Sequence, residues 1–261
     1  MKPLVLILLA AGIAGAYWYF QDDLLSPIDE PVVVRSEPLI EKAVDSVGPL
    51  HPIAQSTLSD PVDRTLVTLP SLDDSDAYFL LALIDIFGTD VEHLLVNEAL
   101  IDKIVTTVDN LTRAHIAEKI RPVGRLALSF SVDAPGGNGE FFLSPDSHER
   151  YNFLVDLVAR AELEDIVETY RRFYPLFQES YLRLGYPDAY FNDRVVEVID
   201  HLLLTPEPDE PIRLVRPHVL YEFADANLEA LSSGQKLMLR MGAEHAERIK
   251  QVLRDLRALI A

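Results

Sequence analysis

Residues 4–20 form an uncharged apolar run that lies between Lys2 and the acidic pair Asp22 and Asp23. At about 1.5 Å of rise per residue, a helix of this length just crosses the hydrocarbon core of a bilayer. The lysine before the run and the acids after it predict that the N-terminus stays in the cytoplasm. We therefore expect residues 1–20 to be a single-pass anchor, with the rest of the chain on the opposite side of the membrane.

A cleaved signal peptide is the competing interpretation of this run, because Ala14-Gly15-Ala16 matches a small-x-small cleavage site. Against it, the apolar run continues beyond that site through bulky residues, as expected of an interfacial aromatic belt. These residues are Tyr17, Trp18, Tyr19 and Phe20. We favour the uncleaved anchor.

Residues 21–70 contain seven of the chain's 17 prolines. Each proline removes a backbone donor and disfavours helix in the residue before it. We interpret this stretch as an acidic, Pro-rich, flexible linker that holds the following domain away from the membrane.

After residue 70, apolar residues recur at three- and four-residue spacing, which is typical of amphipathic helices. We expect a first helix that ends at 87, before Gly88. The other predicted helices cover 90–113, 149–161, 163–185 with a break or kink at Pro175, 189–204, 226–231 and 234–260. In the last one, Ile249, Val252, Leu253, Leu256 and Leu259 mark the stripe that we expect to be buried.

Two stretches between these helices have extended patterns. Residues 126–132 alternate, and a Pro/Gly-rich break at 134–139 separates them from 140–143, which predicts a β-hairpin. Residues 212–215 and 218–221 are candidates for short extended pieces. The predicted fold class is therefore mainly α: a multi-helix globular domain over 71–261 with a minor β-hairpin, preceded by one transmembrane helix and a Pro-rich linker.

The chain carries 42 acidic and 23 basic residues, a formal net charge of −19. Such a surface repels phosphate backbones, so we expect no nucleic-acid partner. There is no cysteine, which excludes disulfides, thiolate nucleophiles and thiolate metal sites. The sequence has no phosphate loop, nucleophile elbow or kinase signature, and we predict no cofactor.

The predicted helix 189–204 carries the densest polar set of the chain: Asn192, Asp193, Arg194, Glu197, Asp200 and His201. Steps of three and four residues place several of them near one face. Such a set is compatible with a metal site or a general acid–base pair. A solvated stripe of charge pairs is the more ordinary interpretation, and we assign neither a metal nor a catalytic residue.

Eight aromatic residues fall between 170 and 191. The first five recur at helical spacing and are expected to form core, because each buries a large apolar area. They are Tyr170, Phe173, Tyr174, Phe177 and Tyr181. The alternative is that Tyr186, Tyr190 or Phe191 stacks on a sugar ring of a glycan.

Several short stretches resemble a known family. They include Val108-Asp109-Asn110-Leu111, Leu184-Gly185-Tyr186-Pro187, Phe191-Asn192-Asp193-Arg194, Ile199-Asp200-His201-Leu202-Leu203, Tyr221-Glu222-Phe223-Ala224-Asp225 and Gly234-Gln235-Lys236. The chain from about residue 70 onward is similar to the membrane-anchored proteobacterial proteins grouped as domain-of-unknown-function family 3014. One departure is Thr112, where the resemblance leads us to expect proline. The resemblance implies a bacterial inner-membrane anchor and a periplasmic domain, and it implies no established activity.

The function that we predict is non-catalytic recognition or assembly, in which the tethered domain binds another protein of the envelope. A hydrolase of peptidoglycan or another envelope polymer is the first alternative, with Asp193, Glu197, Asp200 and His201 converging in a cleft. A glycan-binding module is the second alternative. Tyr186 and the polar residues from Asn192 to His201 are the candidate binding residues for a small ligand or glycan.

Overall fold

The computed structural model describes residues 48–53, 69–124, 126, 128–134, 140–209 and 211–261. The predicted anchor, its alternative cleavage site and most of the predicted linker lie outside these residues. Among the helices in the part of the chain that is described, none is long and apolar enough to cross a membrane.

The described residues contain nine α-helices, so the prediction of a mainly helical domain is confirmed. They are α1 (Asp76–Phe87), α2 (Leu100–Asn110), α3 (Asp146–Glu149), α4 (Asn152–Arg160), α5 (Leu163–Arg183), α6 (Phe191–Leu203), α7 (Ala226–Glu229), α8 (Ser233–Arg240) and α9 (Ala243–Ile260). Helix α9 packs on α6 and α4, while α2 packs on α5 and α6.

A small antiparallel sheet accompanies the helices. Its strands are β1 (Val132–Asp133), β2 (Phe141–Leu143), β3 (Arg213–Val215) and β4 (Glu222–Phe223), and they are ordered β1-β2-β3-β4. Part of the predicted hairpin is present as β1 and β2, with Val132 opposite Leu143. Its first strand is shorter than predicted, since among the described residues of 126–132 only Val132 lies in β1. The sheet has two further strands, and Leu214 of β3, in the predicted piece 212–215, lies opposite Phe141 and Phe223. The predicted piece 218–221 is not a strand, and β4 begins directly after it at Glu222.

The first predicted helix ends as expected at Phe87, before Gly88 with φ 80°. The second is shorter than predicted, since Thr89–His93 is a 3-10 turn and α2 begins only at Leu100. The carboxylate of Asp76 sets this start by accepting hydrogen bonds from the backbone N–H groups of Ala99 and Leu100, both at 2.7 Å. That contact joins residues far apart in sequence, so local periodicity does not reveal it.

Three other predicted helices also differ in detail. The helix predicted over 149–161 is preceded by the separate short helix α3, in which the Ser147 hydroxyl binds the backbone of Ser131. The predicted break at Pro175 does not occur, because α5 continues through it. The predicted helix 189–204 begins at Phe191, and the N-cap residue of α6 is Tyr190.

The long C-terminal helix predicted over 234–260 is two helices, α8 and α9. Gly242 separates them with φ 83°, and a Cβ at this position would lie 2.5 Å from Nδ1 of His148. A glycine is therefore required for both its backbone and its space. In the predicted stripe, Leu259 is 42% exposed and Ile260 is buried instead.

The main core lies between α1, α2, α5, α6 and α9. Phe173, Phe177 and Tyr181 are buried in it, and Phe79 of α1 packs edge-on against Phe173 and Phe177. The prediction that the aromatic face of α5 forms core is confirmed, with Tyr174 half-buried. A second, smaller cluster lies under the sheet around Leu214 and Phe223.

Candidate functional site

The predicted polar set lies on α6, whose apolar side is buried through residues such as Val195, Ile199 and Leu202. The polar side chains leave this helix toward different parts of the molecule. Asn192 and Asp193 meet residues 48–53, while Arg194 reaches α2. Asp200 and His201 point toward α9 and α8.

Arg194 forms a buried ion pair with Asp109 of α2. Its Nε donates to Asp109 Oδ1 at 3.0 Å, and its Nη2 donates to the Asp109 backbone oxygen at 2.6 Å and to Thr112 Oγ1 at 2.7 Å. The two side chains are 14% and 6% exposed. Because both charges are largely removed from water, the pair depends on these additional hydrogen bonds.

Other groups complete the surroundings of the pair. The second oxygen of Asp109 accepts from Arg113 Nη2 at 3.0 Å and from the Tyr186 hydroxyl at 3.3 Å. Glu197 is exposed and binds Arg194 Nη1 at 2.8 Å. Burial alone lowers the pKa of Arg194, yet the hydrogen bond and charge of Glu197, together with Asp109, raise it above its ordinary value.

Asp200 and His201 have separate partners. Asp200 pairs with Arg257 of α9, and this hydrogen bond raises the pKa of Arg257. His201 Nε2 lies 2.8 Å from the hydroxyl of Ser232, the N-cap residue of α8. Burial first, and the nearby charge of Arg194 second, lower the pKa of His201.

The Ser232–His201 contact has the residue types of a nucleophile and its base, but its surroundings are those of a helix cap. Ser232 is 7% exposed, and its hydroxyl accepts from the Gln235 N–H at 3.2 Å in a capping box. The N–H groups of Ser233 and Gly234 already donate to the carbonyls of Arg113 and Leu111. Acyl transfer requires open donors for an oxyanion, and these donors are occupied.

The candidate aromatic residues differ in burial. Phe191 is fully buried, whereas Tyr186 and Tyr190 are half-buried. The Tyr186 ring stacks on Tyr181 with centroids 4.9 Å apart. Burial first, and the charge of Asp109 second, raise the pKa of Tyr181 to about 12. These rings therefore pack mainly against protein, and Phe191 offers no face to a sugar.

The carboxylates and the histidine of α6 do not converge on one point. Asp193, Glu197, Asp200 and His201 have different partners, in residues 48–53, α6 itself, α9 and the start of α8. Within the described ranges, no group of three or more metal-binding side chains is present. A cavity of about 250 Å³ near His148 and Ile212 is not lined by any residue of α6, so it lies apart from these polar side chains.

The hydrogen bonds of Asp109 with Tyr186 and Arg194 join three of the stretches that resemble the family, namely Val108–Leu111, Leu184–Pro187 and Phe191–Arg194. The family model described as protein of unknown function (DUF3014) matches residues 100–257, more than half of the chain. The chain belongs to the DUF3014 family. No curated protein and no solved structure is significantly similar to it. The match begins at α2 and ends within α9, so α1 and residues 48–53 lie before it.

Three features of this DUF3014 protein are not among the predictions from sequence, although two of them have a signal in the sequence. Asp109 lies in the family stretch Val108–Leu111 but is not one of the predicted site residues. An acidic residue between two apolar residues, here the buried Val108 and Leu111, indicates a buried charge. Ser232 has the local signature of a capping box with Gln235. The contact between residues 48–53 and α6 has no local signal, because it joins positions more than 140 apart.

Proposed function

We propose that this DUF3014 protein is a membrane-anchored protein of the bacterial envelope, and that its periplasmic domain binds another envelope protein without catalysing a reaction. The anchor and its orientation are inferred from the apolar run and the flanking charges. The observation that carries the binding role is the exposed apolar face of α1.

Helix α1 is apolar on nearly all sides, with Asp76 and Asp85 as its charged residues. Phe79, Leu83 and Phe87 fill the core on one side. On the other side, Tyr78 is 54% exposed and Leu81 is 62% exposed. A helix that is hydrophobic all round is normally covered on all sides, so this face is suited to contact with a second molecule.

The surroundings of this face indicate the chemistry of its partner. Exposed acids lie on both sides of Tyr78 and Leu81 along the chain, at Asp73, Asp74 and Asp85, and the whole chain carries −19. Complementary potentials favour the correct encounter and disfavour acidic competitors. The partner that fits is a protein with an apolar face bordered by lysine or arginine.

The structure offers less support for the hydrolase alternative. That alternative requires the acidic residues of α6 and His201 to converge, whereas each has a different partner: Asp193 in residues 48–53, Glu197 in α6 itself, Asp200 in α9 and His201 at the start of α8. The glycan alternative retains only the half-buried Tyr186 and Tyr190, and Tyr186 is already engaged by Asp109 and Tyr181. We therefore favour protein recognition through α1.

In-cell photocrosslinking tests the proposal. A photoreactive amino acid replaces Leu81 in the full chain, and the matched control carries it at Leu204, which is also an apolar surface residue and is 77% exposed. We expect a discrete crosslinked product from position 81, and a weaker product or none from position 204. Mass spectrometry then identifies the partner and its crosslinked residues.

Equal labelling at the two positions, or no product at position 81, would overturn the binding role of α1. Protease treatment of spheroplasts tests the orientation separately. We expect the domain to be digested in intact spheroplasts, and its protection would contradict the periplasmic location.

A further inference from the structure

Residues 48–53 lie against α6 although they fall within the predicted linker. The carboxylate of Asp193 accepts hydrogen bonds from two successive backbone N–H groups, Leu50 to Oδ2 at 3.0 Å and His51 to Oδ1 at 2.7 Å. The side chain of Asn192 donates to the His51 carbonyl at 2.8 Å. All three of these bonds are made to main-chain atoms of the segment.

The side chains of the bound residues contribute little to this contact. Leu50 is 76% exposed, and His51 is half-buried. Ile53, at the C-terminal end of the segment, is partly buried and packs against the main core. Since the polar contacts are to backbone, the arrangement recognises a main chain that bends at Leu50 and His51 more than a particular pair of side chains.

Two prolines prepare the segment for this contact. Pro49 and Pro52 flank Leu50 and His51, and neither has an N–H group. A proline restricts the residue before it to extended conformations, which lowers the conformational entropy that binding removes. The two backbone N–H groups between the prolines, those of Leu50 and His51, are the two that donate hydrogen bonds to Asp193.

Asn192 connects this contact to the rest of the fold. It is fully buried, and its amide nitrogen also donates to the carbonyl of Ile260 at 2.8 Å. Its amide oxygen accepts from the Tyr170 hydroxyl at 3.2 Å. One side chain therefore links residues 48–53, α5 and the C-terminal end of α9.

We infer that Asn192 and Asp193 form a binding site for the main chain of a bent polypeptide segment, and that Leu50 and His51 of the same chain are its intramolecular ligand. The site holds residues 48–53 beside the end of α9. This assignment does not depend on the proposed partner of α1, and it changes where the folded unit begins.

Amide hydrogen exchange of the full chain, read residue by residue, tests this inference. Asp193→Ala removes both acceptors, and the matched control, Leu50→Ala with His51→Ala, keeps the backbone donors and removes the side chains. We expect Asp193→Ala to speed exchange at positions 50 and 51 by about tenfold or more, because each lost bond is to a charged group. The double alanine variant is expected to exchange at nearly the wild-type rate.

Two results would overturn the inference. One is wild-type exchange at positions 50 and 51 in Asp193→Ala. The other is equally fast exchange in the double alanine variant, which would assign the binding to the side chains. Exchange at Ile104 and Val105, which are buried in α2, must stay slow in all variants, so that general unfolding is distinguished from release of the segment.

Discussion

Helices α6 and α1 show opposite relations between sequence pattern and surface. Helix α6 carries the densest set of polar residues, and the structure uses most of them to hold its own segments together. Helix α1 carries little charge, yet it leaves Tyr78 and Leu81 exposed. A concentration of polar residues therefore identifies contacts between segments within this protein, while the apolar helix α1 leaves apolar side chains exposed.

The physical reason for this difference is the high cost of burying charge. An ion pair that is largely removed from water, such as Asp109–Arg194, survives only with many additional hydrogen bonds. The surrounding residues must then be polar too, which creates a dense pattern without any catalytic role. An exposed apolar side chain has no such requirement, and it leaves no distinctive pattern in the sequence.

The strongest way to break the comparison is to remove the buried acid. We expect Asp109→Ala to lower the free energy of unfolding by about 3–5 kcal/mol, because Arg194 would lose its buried carboxylate partner and keep only the exposed Glu197. The matched control is Asp156→Ala, since Asp156 pairs with Arg160 and Arg248 at a position 38% exposed. Exposed pairs contribute about 1 kcal/mol or less.

Chemical denaturation of the two variants under the same conditions measures the difference. Similar losses of free energy would mean that the Asp109 network behaves as a surface network. The polar residues of α6 would then contribute no more to stability than surface residues do, and the energetic contrast between α6 and α1 would be lost.

A second prediction concerns the two sides of α1. Leu83→Ala should lower the free energy of unfolding by about 2–5 kcal/mol, because Leu83 is fully buried in the core. Leu81→Ala should change it by less than about 0.5 kcal/mol, because Leu81 is largely exposed. Thermal or chemical unfolding of both variants provides the measurement. A large loss in Leu81→Ala would show that this face is already covered within the chain.

The sequence predicted the parts of this molecule that depend on neighbours along the chain. The helical stripes, the β1–β2 hairpin, the stop at Gly88 and the aromatic core around Phe173 and Phe177 follow from local spacing and turn residues, and the structure contains them. The family stretches also led to the correct family.

The sequence did not predict features that depend on residues distant along the chain. The start of α2 is held by Asp76, and Gly242 at the helix break lies so close to the ring of His148 that a Cβ would collide with it. The partner of Arg194 is 85 positions away, and the contacts of Asp193 are more than 140 positions away. Periodicity identifies which side of a helix is polar, but it does not identify what lies opposite that side.

The smallest expected effect concerns the pH dependence of α6 through His201. Its pKa is lowered in the folded protein by burial and by Arg194, from an ordinary value of 6.5. As pH falls below that value, the unfolded chain takes up a proton more readily than the folded one, so stability decreases until the folded histidine is also protonated. The stabilising contribution is complete above the ordinary value and is lost on acidification.

The free energy of unfolding, measured between about pH 7.5 and about pH 5.5 for wild type and histidine variants, isolates the contribution of His201. We expect His201→Gln to lose less stability than the wild type over this range, because the glutamine does not titrate. The control His218→Gln makes the same substitution at an exposed histidine, so that a nonspecific effect of replacing histidine by glutamine can be recognised. Equal slopes for wild type and His201→Gln would show that this end of α6 is effectively solvated, and the contrast with α1 would then apply only to the Asp109–Arg194 pair and the Asn192–Asp193 site.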